Sequence, residues 1–338
     1  MKFKLLILVA LMSATTLPLL AQNRTMEIGF QSDNDSFLGQ GVDRYYTNGL
    51  FLFFRKGMDF RNPKLANKVL GIEVGQKIFN PQSGYVPDST YIDRPFAGYL
   101  YAGVNINYLY RDQSNLKVGV QVGVVGPSAQ GKQAQEVIHN TFGFYKLNGW
   151  QNQIKNSPQI NLRVDYNKLI VRPNAWGDLT FSGYANGGTG FNGAGAGVLL
   201  RAGAINHLFN SVSTQATATK NSIAPLHNFE LFAYYQPIIN YVAYDVTVQG
   251  NLLKKENDPR QITSEPEPVV LTHQIGAAFA SSRFVVGLAA NLRGKEVKTQ
   301  VYNSHAWGSI TLLYRFNSHK NRFDVTDPKG GRPVRMKN

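Results

Sequence analysis

From Leu116 to Val124 every second residue is apolar: Leu116, Val118, Val120, Val122 and Val124. Between them stand Lys117, Gly119, Gln121 and Gly123. A period of two marks an extended strand with one apolar and one polar face. The pattern returns at 160–167, where Ile160, Leu162, Val164 and Tyr166 alternate with Asn161, Arg163, Asp165 and Asn167. In 100–110 the apolar set is Leu100, Ala102, Val104, Ile106, Tyr108 and Tyr110, and near the end Ile310, Leu312, Tyr314 and Phe316 oppose Ser309, Thr311 and Arg315. A soluble sandwich shows one apolar and one polar face too. A transmembrane barrel turns the apolar face to lipid and the polar face to the lumen, in strands of about ten residues. Long strands, full charges in mid-strand and a final strand ending on an aromatic residue favour the barrel.

The N-terminus agrees. Lys2 and Lys4 precede an apolar run from Leu5 to Met12, then small and polar residues up to Ala21. That reads as a secretory signal peptide over 1–21, cleaved after Ala21 to leave Gln22. The apolar run falls well short of the roughly 20 residues a membrane-spanning helix needs. An exported chain with no cysteine has no disulfide framework. The net charge of +14 falls to +12 once Lys2 and Lys4 are removed. For an exported protein such a surface points to lipid phosphates rather than nucleic acid.

Strands are expected near 23–33, 45–56, 66–78, 94–110, 114–126, 157–171, 174–187, 191–204, 227–240, 267–281, 284–294 and 306–316. Twelve is an even number, as single-chain bacterial barrels require. The fold class is therefore all-β: a twelve-stranded antiparallel transmembrane β-barrel over 22–316, with a short helix in the third outer loop. With the N-terminus periplasmic, the connections at 34–44, 79–93, 127–156, 188–190, 241–266 and 295–305 face outward. Those at 110–113, 172–173 and 282–283 are short periplasmic turns. The Ser/Thr/Ala-rich stretch 205–226 also falls on the periplasmic side and is long for a turn. The polar, basic tail 317–338 reads as a disordered periplasmic extension.

Chemistry-bearing residues gather at the outer end of this topology. Asp33-Asn34-Asp35 closes the first strand and Tyr46-Thr47-Asn48-Gly49 opens the second. Arg94-Pro95-Phe96 follows the second outer loop, and the third carries Gln135 and His139, four residues apart and on one face of a helix. By strand parity Asp35 shares the inward face with Glu27 and Gln31, and Thr47 with Arg55. Each has a plainer structural reading. Asp-Asn-Asp at a strand end is turn chemistry, Gly126-Pro127 is a strand stop, and a loop histidine is commonly a solvated surface group.

Together these pieces resemble the lipid A 3′-O-deacylases of Gram-negative outer membranes. The resemblance rests on Asn34-Asp35, Tyr46-Thr47-x-Gly49-Leu50, Ile78-Phe79-x-Pro81, and Gly123-Val-Val-Gly126-Pro127 followed by Gln135 and His139. Gly143 and Trp150-Gln151-x-Gln153-Ile154 extend it, so that it covers about 27 to 155. It implies a calcium-dependent ester hydrolase of the outer membrane, acting at the extracellular rim on the 3′-linked acyloxyacyl group of lipopolysaccharide, as a monomer. Calcium would draw oxygen ligands from Asn34 and Asp35 and hold the oxyanion. His139 would activate water, Gln135 would orient the imidazole or the water, and Thr47 would position water or substrate. The family's second-loop lysine is missing, since 80–93 contains no Lys or Arg, and Arg94 is the expected substitute at a substrate phosphate. An outer-leaflet phospholipase would use the same chemistry, and a non-enzymatic barrel, a narrow pore or a surface-binding protein, remains open.

Overall fold

A computed structural model describes residues 24–39, 43–253 and 258–317. The expected signal peptide and all of the tail beyond Asn317 lie outside the described residues. Twelve strands close into one barrel in which every strand pairs antiparallel with its neighbours in sequence. They are β1 Met26–Asn34, β2 Tyr46–Gly57, β3 Leu65–Phe79, β4 Ala97–Tyr110, β5 Ser114–Val125 and β6 Ser157–Asn174. The remainder are β7 Gly177–Gly188, β8 Phe191–Ala204, β9 Glu230–Asp245, β10 Val269–Ala280, β11 Phe284–Gly294 and β12 Ser304–Phe316. The ring closes between β1 and β12 in unbroken register, from Met26↔Phe316 to Asn34↔Gly308. Closure leaves no strand edge unpaired, which a lipid environment demands.

The alternation sorts as expected. Ile28, Phe30, Leu50, Leu52, Ile72, Val74, Val120 and Val122 stand exposed on the outer wall. The opposite face builds an interior of ion pairs and stacked rings. Arg55 pairs with Glu27 at 2.7 Å, and Asp165 receives Arg163 at 2.7 Å and Lys117 at 3.4 Å. Tyr99 stacks on Tyr101 with ring centroids 4.8 Å apart.

The structure moves several boundaries. β4 starts at Ala97, so Arg94-Pro95-Phe96 precede it, and β9 runs on to Asp245. The β6–β7 turn lies at 175–176 rather than 172–173, after register shifts between Leu169 and Asn174. Pro173 has no N–H to give to a ladder, which suits an interrupted register at that point.

The larger correction concerns 205–226. Instead of a long turn it folds into the terminal end of the barrel as a plug, with 3-10 turns at Leu208–Asn210 and Val212–Thr214. Ile205, Leu208, Ala216 and Ala218 are fully buried. The barrel wall supplies the polar partners the plug backbone needs. Asn67 Nδ2 donates to the carbonyls of Phe209 (3.1 Å), Ala216 (3.1 Å) and Ala218 (3.2 Å). Asn107 donates to the Thr214 carbonyl at 2.8 Å, and Arg201 donates to Ser211 Oγ at 2.7 Å. Small Ser, Thr and Ala side chains let this segment pack close to the wall, so its composition reflects packing as much as looping. Asn67→Ala leaves those three carbonyls without their donor. A loss of about 1–3 kcal/mol is expected, read as a lower urea midpoint for the compact, heat-modifiable gel band.

Candidate active site

At the end opposite the plug, β1 gives way to a 3-10 turn, Asp35–Leu38, capped by Asn34, whose side chain accepts from Ser36 N at 2.7 Å. Turn chemistry at this strand end is therefore real. It buries Asp35 to 3% exposure. Across the strand pair, Asn34 faces Asn48 and its Nδ2 donates to Asn48 Oδ1. Both share their register face with the exposed Phe30, Leu50 and Leu52, so these amides top the lipid-facing wall rather than the lumen.

Thr47 does not follow the inward parity expected of it. The β2–β3 register jumps between Tyr46↔Phe79 and Asn48↔Ile78, leaving Thr47 as the extra residue of a bulge. Such a bulge re-aims a side chain. Thr47 Oγ1 lies 3.0 Å from Asp35 Oδ2 and 3.1 Å from Asp43 Oδ1, one hydrogen facing two carboxylates. Asp35 Oδ2 also accepts from Arg44 N at 3.2 Å.

The third outer loop brings its helix against the same wall. α1, Gly131–Phe142, starts where Gly131 meets Gly98 of β4 so closely that a Cβ on Gly98 would lie 3.0 Å from Gly131 Cα. Gln76, in the same outward set as Val74, donates to the Ala129 carbonyl at 2.7 Å. The helix ends at Gly143, left-handed at φ 70°, where Phe144 N bonds the His139 carbonyl at 2.9 Å. Gln135 and His139 share the buried face, as their spacing predicted.

His139 is the junction. Its Nδ1 donates to the Tyr145 carbonyl at 2.7 Å, which fixes Nε2 as the nitrogen turned to Asp43 Oδ2, also at 2.7 Å. Tyr145 Oη donates to the same carboxylate at 2.6 Å. Asp43 thus ties the histidine of the third loop to the Thr47–Asp35 pair of the first. Burial, then the neighbouring Asp43 charge, pushes the Asp35 carboxyl up to about 7. Burial and the same charge raise Tyr145.

A buried carboxylate, Asp35, and a half-buried one, Asp43, sharing the Thr47 hydroxyl form a hard oxygen set of the kind calcium takes. Among the described residues no three His, Asp or Glu side chains form a metal cluster. The residues present offer a cation the carboxylate pair and the Thr47 hydroxyl, and not an acidic cage.

The family described as "Outer membrane protein LpxR" matches residues 5–316 of the chain. The chain belongs to the LpxR family. This is the family of outer-membrane lipid A deacylases that the strand-end and third-loop motifs resemble, and the protein is an outer-membrane β-barrel. Among solved structures, LpxR from Salmonella typhimurium superposes with a TM-score of 0.70 at 21% identity, covering 86% of this chain and all of that one. The β domain of the Bordetella autotransporter BrkA gives 0.44 at 9% identity, over 87% of this chain and 98% of that one. No curated protein matches.

Within this LpxR-family barrel, Asn34, Asp35, Thr47 and His139 converge, and two other expectations change. Gln135, expected to orient the imidazole or the water, is fully buried and its Oε1 accepts from Trp150 Nε1 at 3.1 Å, so that oxygen serves the Trp150 motif and only the Nε2 amide is left for water. Its Nε2 has no hydrogen-bond partner. Arg94 is not presented at the rim: it is 1% exposed, with Nη2 on Thr247 Oγ1 at 3.0 Å and its guanidinium 4.3 Å from the Phe79 ring centroid. A guanidinium so enclosed does not offer itself to a lipid phosphate. Asp43 and Tyr145 were missed. Asp43 stands four residues before Thr47, and that spacing was the available signal.

Proposed function

We propose that the protein is a lipid A deacylase that hydrolyses the 3′-linked acyloxyacyl ester of lipopolysaccharide at the outer rim of the barrel. The observation that carries this is the meeting of His139 with the Asp43–Thr47–Asp35 group on the lipid-facing wall of an LpxR-family barrel. An ester at that height is presented from the bilayer, with its acyl chains in the lipid.

The Nδ1–H bond to the Tyr145 carbonyl leaves Nε2 to take a proton. A water that displaces Asp43 Oδ2 from its 2.7 Å contact with Nε2 gives its proton to Nε2, and its oxygen attacks the ester carbon. The Asp43 carboxylate stabilises the imidazolium, which returns the proton to the departing sugar oxygen, so that ester plus water yields acid plus alcohol. Thr47 holds the two carboxylates in register. A calcium ion drawing on Asp35, Asn34 and Asp43 oxygens would supply positive charge for the oxyanion. A pore is disfavoured by the plug, whose backbone bonds to the barrel wall.

Fatty-acid release from purified lipid A tests the reading. Release falls to background in a chelator and returns when calcium is restored. Undiminished release in chelator would remove calcium from the account. Release from phospholipid but not from lipid A would transfer the chemistry to the phospholipase reading.

A further inference from the structure

The helix face that holds Gln135 and His139 runs on to Phe142, and Gly143 turns the chain into Phe144. The Phe144 ring meets His139 edge-on with centroids 5.5 Å apart, and Phe142 stacks on Phe144 at 5.8 Å. Both rings are nevertheless open, Phe142 at 69% and Phe144 at 52% exposure. Across the first-loop residues, Phe37 and Leu38 end the 3-10 turn, and both are exposed. That turn folds over β12: a Cβ on Gly308 would lie 2.7 Å from Phe37 Cβ. Gly308 shares its register face with Ile310 and Leu312 in the pairing with β1, so Phe37 continues the lipid-facing wall.

Open aromatic rings beside a buried histidine call for an apolar occupant. We propose that Phe142 and Phe144 seat the acyl chain of the ester that His139 attacks, and so determine how strongly long-chain esters are favoured over short ones. The occupant is a lipid acyl chain because Phe37, beside Asp35 of the site, continues the lipid-facing wall, and because Phe144 touches the residue that takes the proton. An acyl chain lying on this pair has its carbonyl end beside the imidazole of His139. The inference rests on the proposed hydrolase reading.

The test compares long-chain lipid A with a short-chain, water-soluble nitrophenyl ester. Phe142→Ala and Phe144→Ala each lower kcat/KM on lipid A by about tenfold, as expected for losing part of an aromatic burial, and chiefly through KM. The short-chain ester loses several-fold less than lipid A does, and Phe144→Leu recovers most of the lipid A loss. Equal losses on both esters would mean that the rings only support His139, and no loss on lipid A would empty the seat; either overturns the inference. A second measurement needs no turnover. In a His139→Ala background, Phe142→Trp fluorescence is quenched by a brominated fatty ester in unbrominated micelles, and unlabelled lipid A reverses the quenching. Absent or irreversible quenching overturns the seat. Reversible quenching in a protein whose wild type cleaves neither ester keeps the seat and defeats the hydrolase reading instead.

Discussion

His139→Ala lowers fatty-acid release from lipid A by about 10²–10⁴-fold, the usual cost of removing a general base, while the barrel remains folded. The side chain is 3% exposed, but it belongs to α1, outside the twelve strands whose pairing closes the barrel. Its removal also leaves Asp43 two partners, Tyr145 Oη at 2.6 Å and Thr47 Oγ1 at 3.1 Å, so no carboxylate is stranded. The Nδ1 bond to the Tyr145 carbonyl is lost at the loop edge, where water can replace it. Heat-modifiable gel mobility reports the fold and mass spectrometry reports the released acid. Full activity in the folded variant would show that another group activates water.

The second large effect is at Asp43. Asp43→Asn keeps the shape of the side chain but removes the charge facing Nε2 and one of the two carboxylates around Thr47. Asp43 faces the same nitrogen that takes the proton, so its charge steadies the imidazolium of a general base, a class of contribution worth about 10²–10⁴-fold. A loss on the order of 10²–10⁴-fold in kcat is expected here, with a higher calcium concentration needed for half-maximal activity. Tyr145→Phe removes a single hydroxyl donor from the same carboxylate and costs no more than about tenfold. Comparable losses in the two variants would show that the loop geometry, not the Asp43 charge, is the essential contribution.

What the chain discloses in sequence follows from how far each signal reaches. The Leu116–Val124 alternation is fixed by the two chemically different faces of its strand, and each of the twelve strands overlaps its expected span, several with moved boundaries. The plug was hidden because Ser, Thr and Ala serve equally in a solvated loop and in a tightly packed segment; only contacts such as Asn67 to three carbonyls tell them apart. At the site, Asn34, Asp35, Thr47 and His139 were legible through their motifs. Asp43 had only its four-residue spacing from Thr47 as a local signal, since its partner His139 lies 96 residues away. Thr47 was located but its direction was misread, because a bulge changes parity without changing composition. Arg94 was given to the substrate because the second loop lacks a cation, whereas burial against Phe79 and Thr247 commits it to the fold.

The central claim, that this LpxR-family barrel removes the 3′-linked acyloxyacyl group of lipid A, is tested most directly by the mass of lipid A from cells. Lipid A is extracted from cells producing the wild-type chain, the His139→Ala variant or neither, and compared by mass spectrometry. The predicted result is a species lighter by one acyloxyacyl group in the wild-type cells alone. Identical lipid A in all three, with the wild-type barrel folded in the outer membrane and calcium present, would contradict the account.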